Sequence, residues 1–326
     1  MRAVMCKQYG PPESLEVVEM PSPRLGKGEV LISVRAVSVS QANVLVAAGN
    51  HPNKRELPFI TGGEAAGIVK AVGEGISAFK PGDAVLGPGK DGGCAEEILA
   101  SADKLRLLPP GLDLTLAAGA GSYATSLHAL RDVAKIKPGE TVLVLGAAGG
   151  VGLSAVELAK QMGARVVACA SSQEKLDLCK RYGADELINY EGEDLRGAIK
   201  KAGGDKGFDV VIDPVGGKYA DPAVRGMGWG GRYVIIGFAG GFVPDLPLNL
   251  PLLKGCAVMG MSLHRLAMHD PAAAKALRAD VIRLLADGKI KPHVCATYPL
   301  ERTADAMNDL RLRKVLGKVI VTAGST

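Results

Sequence analysis

Thr141-Val142-Leu143-Val144-Leu145-Gly146-Ala147-Ala148-Gly149-Gly150-Val151-Gly152 leads without a break into Leu153-Ser154-Ala155-Val156-Glu157-Leu158-Ala159-Lys160. A Val/Leu run, a glycine turn and an Ala-rich stretch follow one another, which is the strand, turn and helix context of a dinucleotide-binding fingerprint. Gly146, Gly149 and Gly152 permit a tight bend, let backbone approach a pyrophosphate, and bring the helix close to its strand. The free N–H groups around Ala148, Gly150 and Val151, with the positive end of the helix dipole, then face the anion. A plain strand-helix turn is the simpler reading of the same glycines; the flanking segments favour the nucleotide.

About 20 residues downstream, an enzyme that uses NAD keeps an acid for the ribose hydroxyls. None stands here. The next strand, Arg165-Val166-Val167-Ala168-Cys169-Ala170, ends in Ser171-Ser172-Gln173-Glu174-Lys175. Two hydroxyls and an ammonium suit a 2′-phosphate, which offers strong acceptors and negative charge, so NADPH is expected over NADH. Ser171 or Ser172 also fits as the N-cap of the following helix, with Lys175 solvated. The two readings are compatible.

The chain has 326 residues, more than one core usually organises, so two domains are expected. A net charge of +5 is too mild and dispersed to imply nucleic acid, and aromatic residues at 4% argue against a base-stacking surface. The longest weakly charged run is the dinucleotide turn itself, whose glycines and Glu157 are unlike a membrane span. No apolar signal-type region follows Met1, and a cytoplasmic location is expected. Cysteines at 6, 94, 169, 179, 256 and 295 and histidines at 51, 128, 264, 269 and 293 show no metal-ligand spacing, so no metal is expected.

Residues 1 to about 120 are β-rich, with strands at 15–19, 29–37 and 66–72 between Pro and Gly breakers. From about 123 strands and helices alternate. Strands near 141–146, 165–170, 186–189, 208–213, 232–237 and 256–261 imply an α/β, doubly wound parallel sheet. Helix 271–287 follows, and 317–322 reads as a strand returning to the first domain. The expected division is therefore 1–122 with 265–326, and 123–264.

Gly-Pro-Pro-Glu-Ser-Leu (10–15), Gly62-x-Glu64-x-Ala66-Gly67, Val72-Gly73-Glu74-Gly75, Phe79-Lys80-Pro81-Gly82-Asp83, Ala147-Ala148-Gly149-Gly150-Val151-Gly152 and Gly317-Lys318-Val319 follow in order. Together they resemble the zinc-free branch of the medium-chain dehydrogenase/reductases, most of all the NADPH:quinone oxidoreductases related to zeta-crystallin. The resemblance runs from residue 1 to about 322. It implies a GroES-like β-rich catalytic domain plus a Rossmann domain, and a homodimer joined through strands near 256–261. Zinc-dependent members carry a Cys near Ser40 and a His where this chain has Gly63. Hydride transfer without a Lewis acid suits acceptors that are already electrophilic.

The same resemblance implies site residues. Quinone reductases of this branch have Asn-Phe-x-Asp where this chain has Ser40-Gln41-Ala42-Asn43, and a Tyr near Asn50-His51. Ser40 and Asn43 either hydrogen-bond an acceptor carbonyl or cap the helix around 42–48. His51 is a proton donor to the reduced acceptor or a loop residue. Thr125 matches a threonine facing the nicotinamide, with a packing role as the alternative. Tyr190 matches a tyrosine near the adenosine phosphate. Phe238, Met261 and the acceptor-side Leu263 follow strands five and six, where this fold binds its ligand. Lys318 matches a cofactor-side residue or is a solvated strand lysine. The leading reading is an NADPH:quinone reductase. The alternatives are an NADPH-dependent alkenal, enone or enoyl reductase, and an NADPH-binding regulatory protein of low turnover.

Overall fold

The computed structural model describes residues 1–51, 54–191 and 194–324. The chain forms two compact units, Met1–Gly121 with Ile282–Thr326, and Ser122–Val281.

In the first unit β1 (Arg2–Cys6) pairs antiparallel with β2 (Glu16–Glu19). The long β3 (Glu29–Val39) is the axis of a second sheet. Val30, Ile32, Val34, Val37 and Val39 are all buried on it, and burial of each such side chain contributes about 1.5–3 kcal/mol. It runs two residues beyond the expected strand end and stops at Ser40, the N-cap of α1 (Gln41–Ala47). After β4 (Phe59–Ile60), which adds to β1, β5 (Glu64–Val72) returns antiparallel along β3. β6 (Ala84–Pro88) pairs with β5, β7 (Glu97–Ser101) with the first half of β3, and β8 (Arg106–Leu107) with β6. α2 (Leu114–Gly119) starts at Asp113, whose carboxylate accepts from the Thr115 and Leu116 amides.

The second unit begins within α3 (Gly121–Leu127) and is a six-stranded parallel sheet. Its strands are β9 (Thr141–Val144), β10 (Arg165–Ala170), β11 (Glu186–Asn189), β12 (Phe208–Asp213), β13 (Met227–Ile235) and β14 (Ala257–Gly260). In space they run β11-β10-β9-β12-β13-β14. Chain order reverses between β9 and β12, so the crevice beyond their carboxyl ends is the ligand position of such a sheet. α4 (Gly150–Gln161) and α5 (Gln173–Arg181) connect the first three strands. α6 (Leu195–Gly203) leads to β12, α7 (Ala220–Arg225) to β13, and α8 (Asn249–Lys254) to β14.

α9 (Leu263–His269) and α10 (Pro271–Ala286) follow. The division back to the first unit falls inside α10, at Ile282, later than the expected 265. A continuous helix carries no breaker at that point. β15 (Val294–Pro299), α11 (Thr303–Arg311) and β16 (Lys318–Thr322) complete the chain. β16 pairs parallel with β15 and antiparallel with Val39, Ser38, Val37 and Ala36 of β3.

Candidate cofactor and acceptor sites

The 146–152 turn joins β9 to α4 as the glycines require. Gly146 has φ +58°, a left-handed conformation that disfavours a side chain. A Cβ at Gly152 would stand 2.2 Å from the Gly146 carbonyl oxygen, so only glycine allows this contact of helix and turn. Gly149 differs. A Cβ there would meet only the Gly146 oxygen, at 3.4 Å, and its φ of −78° suits any residue. The protein's own packing leaves open the space above Gly149, and the first backbone N–H groups of α4 have no partner within the helix. That opening beside unpaired donors fits a pyrophosphate.

Ser171 follows the end of β10, and the Lys175 ammonium donates to its hydroxyl at 2.9 Å. Ser172 is the N-cap of α5, accepting from the Lys175 amide at 3.4 Å. Capping and the gathering of a hydroxyl with an ammonium therefore coexist, while Glu174 is exposed. Tyr190 stands beside this group, its amide bonded to the Ala170 carbonyl at 3.1 Å. Its ring lies 4.5 Å from that of Tyr219, whose hydroxyl donates to Glu191.

In the first unit, Asn43 Oδ1 accepts from both the Ser40 amide and the Ser40 hydroxyl, each at 2.9 Å. A backbone N–H can only donate, so the oxygen of the Asn43 amide must face Ser40. In this geometry the Ser40 hydroxyl donates to Asn43, and the Asn43 –NH₂ is a further donor at the same helix start. Gly63 donates to the Ser38 carbonyl, and a Cβ at 63 would stand 2.9 Å from that same oxygen. Lys318 is buried, and its Nζ reaches the Val39 carbonyl at 3.5 Å. Burial pulls its pKa down to about 8, opposed by the nearby Glu64 carboxylate. Arg106 holds Glu64 at 2.6 Å. Lys318 is thus no solvated strand lysine.

Thr125 is half-buried on α3. It is the next residue, Ser126, that ties this helix to α4, donating to the Val151 carbonyl at 2.8 Å and lying 2.8 Å from the Ser154 hydroxyl. Phe238 stands in the loop after β13, 36% exposed. Met261 follows β14, its amide bonded to Ile235, and Leu263 opens α9 under a Ser262 cap. His51 is half-buried just before residues outside the description.

Sequence reasoning passed over Asp213, the last residue of β12. It is 1% exposed, and its carboxylate accepts from the amides of Val215 (2.7 Å) and Gly216 (2.8 Å) and from the Tyr233 hydroxyl. Burial nonetheless raises its pKa above the usual carboxylate range. An Asp before Pro214 reads as an ordinary turn residue; the one signal was an acid directly after the apolar Val210-Val211-Ile212 run.

These geometries agree with comparisons to known proteins. Residues 26–138 match the alcohol dehydrogenase GroES-like domain, and residues 150–280 the zinc-binding dehydrogenase domain. Quinone oxidoreductase-like protein 2 of Rattus norvegicus is 36% identical over 323 residues, covering 98% of this chain and 92% of that relative. Among solved structures, Escherichia coli quinone oxidoreductase complexed with NADPH superposes with a TM-score of 0.92 at 29% identity, covering 99% of this chain and 100% of that one. A mycobacterial protein complexed with NADPH gives 0.91 at 31%, covering 99% of both chains. The chain belongs to the quinone oxidoreductase (zeta-crystallin-like) family of the medium-chain dehydrogenase/reductases, with a GroES-like unit and a Rossmann unit.

Proposed function

We propose that the protein is a metal-independent reductase that uses NADPH to reduce quinone-type carbonyl acceptors. The observation that carries the cofactor choice is the Lys175–Ser171 pair at the end of β10, where an acid would select NAD. Gly149, Gly150 and Val151 hold the pyrophosphate through backbone N–H groups, and Lys175, Ser171 and Tyr190 hold the adenosine 2′-phosphate. Bound NADPH supplies the hydride. Asn43 donates an amide N–H to the acceptor carbonyl, stabilising the negative charge that develops on its oxygen, and solvent supplies the proton that completes the hydroquinone. Ser40 positions Asn43 by fixing which way its amide turns. Metal independence is supported by the backbone at 63: a side chain there would run into the Ser38 carbonyl, which denies a ligand to that position.

Lys175→Ala tests the cofactor assignment. NADPH affinity should fall by about 1.5–3 kcal/mol, roughly 10- to 150-fold, while NADH affinity barely changes. Equal weakening of both would exclude the 2′-phosphate role. Oxidation of NADPH with naphthoquinone-type acceptors, compared with 2-alkenals, tests the acceptor class; turnover of alkenals alone would replace the quinone by a conjugated enal.

A further inference from the structure

We propose that Asp213 is a positioning residue for cofactor binding, acting through the 214–217 turn on both Gly146 and Phe238. The proposal rests on the reading of the 146–152 turn as the NADPH site. A carboxylate at the end of a buried strand is costly to desolvate, and it persists only where donors replace the lost water. Here three do. The Val215 and Gly216 amides bend the chain back onto Oδ1, and Tyr233, from the adjacent β13, donates to Oδ2. Tyr233 is itself buried, and its hydroxyl pKa is pushed up by burial and by the carboxylate, so it remains a donor.

The turn so formed reaches two segments of the proposed cofactor site. On one side Val215 lies against the dinucleotide turn: a Cβ at Gly146 would stand 2.6 Å from Val215 Cγ2. On the other, Gly216 lies beneath Phe238, where a Cβ would stand 2.7 Å from Phe238 Cδ1. Gly216 and Gly217 have φ of +67° and +61°, so the bend uses a conformation open to glycine and needs an anchor to hold it. The backbone of the 236–242 segment is then laid on the turn. Ile236 donates to the Asp213 carbonyl at 2.8 Å, Ala239 to Pro214 at 3.1 Å and Gly240 to Val215 at 2.8 Å, while Gly217 donates to Phe242 at 3.1 Å. One carboxylate therefore sets the height of the floor against Gly146 and the position of the loop that carries Phe238. Asp213 is 1% exposed and its carboxylate is spent on the turn and on Tyr233, so its effect belongs to NADPH affinity and not to the chemical step.

The test compares NADPH binding and steady-state kinetics in the full chain, below the melting temperature of each variant. D213N keeps an oxygen for the two amides and an amide group facing Tyr233, and should remain within about threefold of the wild-type NADPH Kd. D213A leaves both amides without partners and should raise that Kd at least tenfold. Turnover at saturating NADPH and the acceptor KM should stay within about twofold. Loss of melting temperature in D213A with an unchanged NADPH Kd would overturn the proposal, as would equal losses of affinity in D213N and D213A. Should D213A fail to fold, V215A decides: it keeps the carboxylate network but removes the contact with Gly146, and must itself weaken NADPH. An unchanged Kd in V215A overturns the proposal. Failure of the wild-type chain to bind NADPH would refute the cofactor assignment instead, and is seen before any variant is compared.

Discussion

Gly149 and Gly152 sit three residues apart in one turn and answer to different demands. Gly152 is required by the fold, since a methyl group there would collide with the Gly146 carbonyl; Gly149 meets no such obstacle. Gly152→Ala should therefore lower the melting temperature sharply, whereas Gly149→Ala should leave it within a degree or two and abolish NADPH binding. Retained binding in a stable Gly149→Ala chain would show that no ligand uses the space. Lys318 gives a prediction in pH. Its folded pKa of about 8 lies below the ordinary lysine value of 10.5, so between these limits the unfolded chain binds more protons. Below pH 8 the fold carries the full cost of the buried ammonium, and this cost fades as pH rises toward 10.5. Lys318→Met should melt higher than wild type at pH 7, with the difference narrowing between pH 8 and 10; a difference independent of pH would clear the ammonium of that cost. The glycines, Ser171 and Lys175 were legible because their chemistry is local. Asp213 was not, because its partners include Tyr233, 20 residues away along the chain and adjacent only once β12 and β13 pair.

At the scale of elements, the start of α1 joins a stability question to a functional one. Ser40 and Asn43 are bonded to each other at this helix start, so both the capping and the acceptor readings apply to them in different measure. Ser40→Ala removes one bond to the Asn43 oxygen and should cost about 0.5–2 kcal/mol of stability with a small change in kcat/KM. Asn43→Ala should also reduce kcat/KM for the acceptor at unchanged NADPH affinity. Unaltered kcat/KM for every active acceptor would withdraw Asn43 from the proposed site. Apolar runs revealed most of the second unit, because Val142–Val144 of β9, Val166–Ala170 of β10 and Val210–Ile212 of β12 are buried on both faces. β13 begins earlier than its sequence suggested. Gly228-Trp229-Gly230-Gly231 looks like a loop, yet Met227 already pairs with Phe208, and the register shifts before Arg232 pairs with Val210. An irregularity of this kind is fixed by the neighbouring strand and leaves no periodic trace.

For the molecule as a whole, the resemblance implied a homodimer joined near 256–261, and we propose this assembly on the surface of the second unit. β14 ends the parallel sheet. Trp229, Leu248, Leu252 and Leu253 are 88%, 86%, 80% and 73% exposed, an apolar exposure better suited to an interface than to water. Light scattering should give twice the 33.7 kDa chain mass, and Leu252→Lys with Leu253→Lys should halve it; a wild-type monomer at micromolar concentration would refute the dimer. The division of the chain into units was partly legible, since the sheet returns where 317–322 suggested, but the change of unit inside α10 is set by tertiary packing. One consequence concerns synthesis on the ribosome. The edge of β3 at 36–39 is made early, but its partner β16 emerges only after the whole nucleotide unit has been translated. The inserted unit can fold as a continuous segment while the β-rich unit waits with an open strand edge, a template for association with other nascent chains until the last strand closes it.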